Sequence, residues 1–146
     1  MRKTRVLIVE DETIIALDVQ GILAGLGYEV VGIASTGEAA VQKALSLKPD
    51  IILMDILLAG QMDGIDAARE IRKSHDIPII YLTANADRAT VDRAHDTQPY
   101  AYLNKPIHER DLYSNIESAR TQHRIESKLR ESERRFRDAL ANARLL

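Results

Sequence analysis

The chain alternates short apolar runs with longer stretches of helical spacing, five times over. Val6–Val9 is continuously apolar, the pattern of a strand covered on both faces. From Glu12 to Leu26 the apolar residues Ile15, Val19, Ile22, Leu23 and Leu26 recur at helical spacing. Gly27 stands where a left-handed residue ends such a helix. Val30, Val31 and Ile33 predict the second strand. Thr36 is placed to cap a helix running to about Leu47, and Pro49 forbids its continuation. Ile51–Met54 predicts the third strand, and Asp63 caps a helix over roughly Gly64 to Lys73. Ile79–Leu82 follows Pro78 as the fourth strand, a polar helix spans about Arg88 to His95, and Ala101–Leu103 is the fifth strand. From Glu109 onward no Gly or Pro interrupts a long helical pattern.

Five βα units predict an α/β fold with helices on both faces of one sheet, because such crossovers are right-handed. The expected architecture is a flavodoxin-like (βα)5 doubly wound parallel sheet, strand order 2-1-3-4-5, with an extended C-terminal helix. In that extension Ile125, Leu129, Ser132, Phe136, Ala139 and Ala143 follow 4-3-4-3-4 spacing, the seam of a short coiled coil. A solvated helix extension is the plainer alternative.

Polar residues close four of the apolar runs. Glu10-Asp11 follows Val9, Asp55 follows Met54, Thr83-Ala84 follows Leu82, and Lys105-Pro106 follows Asn104. Parallel strands bring these ends to one edge, which is where open α/β sheets bind ligands. The edge then gathers three carboxylates, a hydroxyl and an ammonium. A carboxylate can attack phosphorus, and a hard cation such as Mg²⁺ takes carboxylate, phosphate and water oxygens. Lys105 can pair with a phosphoryl oxygen as a point charge, and the Thr83 hydroxyl can donate to another. Taken alone, Asp11 also fits a helix N-cap, Thr83 a plain strand residue, Tyr102 a core residue and Lys105 a surface charge.

These motifs resemble a response-regulator receiver domain of two-component signalling, over Arg5 to about Gln122. They are Val9-Glu10-Asp11-Glu12, Leu53-Met54-Asp55, Met62-Asp63-Gly64, Leu82-Thr83-Ala84 and Asn104-Lys105-Pro106. The resemblance implies Asp55 as phosphoacceptor, with Mg²⁺ held by Glu10, Asp11, Asp55 and the backbone carbonyl of Leu57. It implies Thr83, Lys105 and the Ala84 N–H at the phosphoryl group, Thr83 and Tyr102 as switch residues, and a cis Lys105–Pro106 bond. A histidine kinase would be the phosphoryl donor. A homodimer through the fourth helix, fifth strand, fifth helix and C-terminal helix would be one output. The loop after Asp55 departs from the family: it has no Pro and is one residue longer. Leu57 and Asn85 stand at the two positions that tune hydrolysis, and an apolar Leu57 favours slow self-dephosphorylation.

Composition narrows the alternatives. There is no cysteine, which excludes disulfides, thiolate metal sites and cysteine nucleophiles. No apolar run reaches the roughly 18 residues of a membrane span, and a cytoplasmic location is expected. From Arg120 onward there are eight Lys/Arg against four Asp/Glu, leaving twelve against eighteen in the body. An acidic body argues against direct nucleic-acid binding by the domain. An aspartyl phosphatase of the haloacid-dehalogenase type would place a second Asp where Leu57 stands. A receiver of an RNA-binding antitermination regulator is a further alternative. The chain is therefore read as a receiver over residues 1–122 that catalyses only its own phosphorylation and dephosphorylation. Residues 123–146 are read as a helical linker or coiled-coil tail, and Leu129-Arg130-Glu131-Ser132-Glu133-Arg134-Arg135-Phe136-Arg137 resembles the lead-in to a PAS sensor domain.

Overall fold

The computed structural model describes residues 2–85 and 87–145. The elements run β1 (Arg5–Val9), α1 (Thr13–Gly25), β2 (Glu29–Ala34), α2 (Gly37–Leu47), β3 (Ile51–Asp55), α3 (Gly64–Arg72), β4 (Ile79–Thr83), α4 (Arg88–His95), β5 (Ala101–Asn104) and α5 (Glu109–Leu145). All strand pairs are parallel and the order is β2-β1-β3-β4-β5. The expected flavodoxin-like architecture is the one found.

Alternation along the strands divides the core. Leu7, Val9, Ile52, Met54, Ile79 and Tyr81 face one side, against Ala40, Ala44, Ile65, Ala68, Ile71 and Ala94 of α2, α3 and α4. Val6, Ile8, Ile51, Leu53, Ile80, Leu82 and Leu103 face the other, against Ala16, Val19, Leu23, Leu112, Ile116 and Ala119 of α1 and α5. The central strands β1, β3 and β4 are covered twice, which is why they read as unbroken apolar runs.

Local chemistry sets the ends of the helices. The Thr36 hydroxyl accepts from the Ala39 N–H and caps α2. Asp63 and Asp66 form a reciprocal capping box at α3. Asp87 caps α4 through the Thr90 N–H, a cap the sequence reading did not name. Gly27 takes the left-handed conformation expected after α1, at φ 91°. The N-cap of α1 is Glu12 and it makes no side-chain cap bond, so Asp11 is not held there by capping. Strands β3, β4 and β5 each run one residue beyond their apolar core. The ladder continues through Asp55↔Leu82 and Thr83↔Asn104, so these polar residues are strand residues and not loop residues.

Gly64 fixes how α3 meets the sheet. A Cβ at this position would lie 2.0 Å from the carbonyl oxygen of Asp55. The Gly64 N–H donates to the Ile56 carbonyl at 2.9 Å, which holds the helix start against the strand end. Gly64→Ala should therefore cost about 1–3 kcal/mol by overpacking, read by urea unfolding. An unchanged unfolding midpoint would show that the backbone at Asp55 yields freely.

Candidate functional site

Glu10, Asp11 and Asp55 offer carboxylate oxygens that all lie within 4.8 Å of one another at the carboxyl edge of the sheet. The backbone brings them there. The Glu10 N–H donates to the Ala34 carbonyl of β2, and the Ile56 N–H to the Leu82 carbonyl of β4. The Lys105 N–H donates to the Thr83 carbonyl, and the Lys105–Pro106 bond is cis.

Lys105 reaches into the carboxylates. Its Nζ lies 2.9 Å from Asp55 Oδ2 and 2.6 Å from Glu10 Oε1. The side chains of Glu10, Asp55 and Lys105 are only 1%, 6% and 14% exposed. Burial works against the charge on Lys105, but the two carboxylates held close to its ammonium, Glu10 and Asp55, outweigh it and raise its pKa above the ordinary lysine value. The Lys105–Glu10 contact is an ion pair without hydrogen-bond alignment: Glu10 Oε1 is buried and has no directed donor. The other Glu10 oxygen accepts from the Glu12 N–H at 3.2 Å. Asp55 Oδ1 accepts from the Leu57 N–H, and Asp11 Oδ2 from the Ala59 N–H, both at 3.2 Å. The loop after β3 thus folds back onto both carboxylates, with Gly60 at φ 99° allowing its turn.

This donor set fits a hard divalent cation. It is all oxygen, it carries three negative charges against one ammonium, and it includes a buried carboxylate oxygen that lacks a directed donor. No other group of this kind occurs among the described residues.

The structure brings Glu10, Asp11, Asp55 and Lys105 together, with the Leu57 backbone on Asp55. Thr83 is half-buried at the end of β4, and Ala84 follows it in an exposed bend. Tyr102 is not in this cluster. It stands 37% exposed and its ring stacks on Tyr81 at 5.9 Å between centroids.

Three residues near the site escaped the sequence reading. Gly64 read only as a helix start. Arg93 of α4 pairs with Asp63 at 3.1 Å and Asp66 at 3.3 Å, tying α4 to the α3 cap. Partial burial opposes ionisation of Asp63, but the Asp66 N–H and the Arg93 guanidinium outweigh it and hold its pKa below the ordinary value. Tyr81 is fully buried, and its hydroxyl lies 2.6 Å from Thr97 Oγ1. Thr97 gives its own proton to the Ala94 carbonyl at 2.6 Å, so Tyr81 is the donor. A Tyr inside a strand signals a buried ring, but not that its hydroxyl would reach the exit of α4.

An open parallel sheet with an acidic pocket and an ammonium at its carboxyl edge defines a flavodoxin-like domain of the signalling type. The response regulator receiver domain family matches residues 6–117, and the chain belongs to it. Domains of this family are phosphorylation-activated signalling modules, phosphorylated by histidine kinases. The transcriptional regulatory protein PdtaR of Mycobacterium tuberculosis is 46% identical over 115 residues, 79% of this chain and 56% of PdtaR. The chain therefore spans about half the length of that relative. The signal receiver domain of a modulated diguanylate cyclase from Desulfovibrio desulfuricans G20 superposes with a TM-score of 0.82 at 38% identity, covering 86% of this chain and 99% of that one. The N-terminal domain of a response regulator/sensory box/GGDEF 3-domain protein from Carboxydothermus hydrogenoformans gives 0.77 at 36% identity, covering 85% and 99%.

Two outcomes follow from the geometry. Lys105→Met leaves Glu10 and Asp55 buried without their counter-ion, which should cost about 3–5 kcal/mol in metal-free buffer. Millimolar Mg²⁺ should return much of that loss and raise the melting temperature of the variant more than that of the wild type. An equal Mg²⁺ response in both proteins would place the cation away from Lys105. The second outcome concerns Tyr81, whose pKa burial lifts from the ordinary 10.0 to about 12. Its neutral form is favoured on folding, so the contribution is full below pH 10.0 and is lost as pH rises toward about 12. Tyr81→Phe should cost about 1 kcal/mol at neutral pH and lose less stability than wild type over that alkaline window. Urea unfolding at each pH reads both effects, and parallel alkaline losses would overturn the second.

Proposed function

We propose that Asp55 accepts a phosphoryl group from the phosphohistidine of a histidine kinase. The observation that carries this is the position of Asp55: a buried carboxylate at the sheet edge, 2.9 Å from the Lys105 ammonium and within 4.8 Å of the Glu10 and Asp11 oxygens. In the transfer an oxygen of Asp55 forms a bond to phosphorus as the N–P bond of the donor breaks. Glu10, Asp11, Asp55 and the Leu57 carbonyl would hold Mg²⁺, which neutralises charge on the entering phosphoryl oxygens. Lys105 then exchanges a carboxylate partner for a phosphoryl oxygen, and Thr83 and the Ala84 N–H donate to the others. The apolar side chains of Ile14, Leu17 and Leu57 are exposed on α1 and the loop beside this edge, and they suit a helical partner's apolar face.

The tail carries the output in this reading. Residues 1–122 form the receiver and 123–146 a helical linker, which we propose leads to a PAS-type sensory domain. The order of domains named for the Carboxydothermus hydrogenoformans relative supports this. The similarity to PdtaR supports a second reading, in which the receiver serves a transcriptional regulator. Movement of Thr83 toward the phosphoryl group would draw Tyr102 off Tyr81, reshaping the α4–β5–α5 face. Two copies would pair through that face and the tail. No helix among the described residues is long and apolar enough to cross a membrane.

Intact mass spectrometry after treatment with acetyl phosphate and Mg²⁺ tests the assignment of Asp55. The wild type should gain one labile phosphoryl group and Asp55→Asn none. Equal labelling of Asp55→Asn would move the acceptor to another residue.

A further inference from the structure

The tail of α5 has two distinct sides. Leu112, Ile116 and Ala119 are buried against the body. The same side continues with His123, whose Nε2 lies 3.0 Å from the Asp76 carbonyl and 3.1 Å from Asp76 Oδ2. Arg130, seven residues on, also pairs with Asp76. The Tyr100 hydroxyl donates to Glu126 at 2.5 Å. At 3.6 residues per turn, Ile125, Leu129, Ser132 and Phe136 project from the far side, roughly 130° away. Ile125, Leu129 and Phe136 are 61%, 58% and 67% exposed. This stripe is held away from the body by the contacts on the other side.

Beyond Phe136 the stripe admits two continuations. Ile125, Leu129, Ser132 and Phe136 step 4-3-4. From Phe136, a seven-residue repeat continues to Ala139 and Ala143. A step of four instead reaches Leu140, another exposed apolar residue. The positions Ile125 and Phe136, Leu129 and Leu140, and Ser132 and Ala143 are then each eleven apart. Seven-residue repeats wind paired helices to the left and eleven-residue repeats to the right.

Charges beside the stripe decide direction. In a parallel, in-register pair, Lys128 faces Glu133 of the second copy, an attraction made twice. In an antiparallel pair, with Ile125 opposite Phe136, Lys128 meets Arg135 and Glu126 meets Glu133. Both of those are like-charge contacts. Flanking charges of this kind set the orientation of paired helices.

We infer that the tail pairs with a second copy of this chain in parallel and in register, through a seam that passes from seven- to eleven-residue spacing at Ala139–Leu140. This rests on the self-association proposed above and adds its direction and winding. Leu140 replaces Ala139 in the seam and buries the larger apolar side chain. The last turns of the pair would run straighter than its first, where a regular heptad holds.

The chain has no cysteine, so single cysteines report position without interference. The full-length variants Ala143→Cys, Ala139→Cys, Leu140→Cys and Arg134→Cys are oxidised mildly and run on non-reducing gels. Ala143→Cys should form a covalent dimer, because a parallel seam places the two copies of residue 143 side by side. At protein concentrations where both variants are fully paired by sedimentation, Leu140→Cys should crosslink several-fold faster than Ala139→Cys. Arg134→Cys, on the side away from the seam, should stay monomeric. Lys128→Glu should weaken self-association about threefold by sedimentation, and adding Glu133→Lys should restore it. An antiparallel pair would instead strengthen with Lys128→Glu, and that result overturns the direction alone. Faster crosslinking at Ala139→Cys overturns the change of spacing. Monomers at every concentration, in the presence and absence of beryllofluoride and Mg²⁺, overturn both this inference and the self-association it rests on. Leu140→Ala guards against a misleading cysteine effect. It should weaken pairing about tenfold, while Ala139→Ser should change it less than twofold.

Discussion

The ion cluster of Lys105 with Glu10 and Asp55 is the interaction on which this molecule turns. Three charged groups lie at the end of a sheet whose interior is otherwise apolar. Burying charge is costly unless it is paired, and removing one member leaves the others stranded. The fold meets this constraint by aligning the ends of β1, β3 and β5, so that residues from distant parts of the chain meet. Two acids share a single ammonium, and a third acid stands beside them. The cluster is therefore electrically incomplete as it stands, which disposes it to take up a cation and to release Lys105 when a new anion arrives.

The rest of the molecule is arranged around that poise. β4 and β5 carry Thr83 and Tyr102 on neighbouring strands, with Tyr81 paired to Tyr102 in the ladder. Tyr81 supports the outward ring of Tyr102 on one side and, through Thr97, the exit of α4 on the other. Arg93 ties the opposite flank of α4 to the cap of α3, whose first residue lies against the Asp55 carbonyl. α4 is thus secured by polar contacts more than by core, since Ala94 is its one buried residue. An element with so little buried apolar surface sits toward the low end of local stability.

Much of this was legible in the sequence, for identifiable reasons. β1, β3 and β4 are covered on both faces and so read as continuous apolar runs. Asp55 and Glu10 stand out because each is a charge placed directly after such a run, and Lys105 because it follows the short strand that ends at Asn104. Strand ends were read one residue short because Asp55, Thr83 and Asn104 are polar, and only the ladder shows that they still pair. The remaining features depend on contacts between distant segments. Asp76 looks like a loop residue until His123, 47 positions later, is seen to bond to it. Arg93 reads as a solvated helix charge until α3 lies beside it. Gly64 reads as a helix start, and its need to be glycine comes from an Asp55 carbonyl that the sequence cannot position. Leu140 fell outside a strictly seven-residue reading, although it is among the exposed large apolar residues of the tail.

The contact of Asp76 with His123 and Arg130 also has a mechanical meaning. It lies at the edge of the sheet opposite the acidic cluster, beside a groove of about 440 Å³ lined in part by Asp76 and His123 and one of about 370 Å³ lined in part by Asp76 and Arg130. The staple makes the loop before β4 a fulcrum for the tail. From Arg130 to Leu145 the helix extends about 22 Å beyond this point. A rocking of the helix on its bearing by about ten degrees would swing the far end by about 4 Å, roughly three-quarters of the rise of one helical turn. Motions too small to disturb the core of the receiver would then arrive at the end of α5 as displacements the size of a side chain.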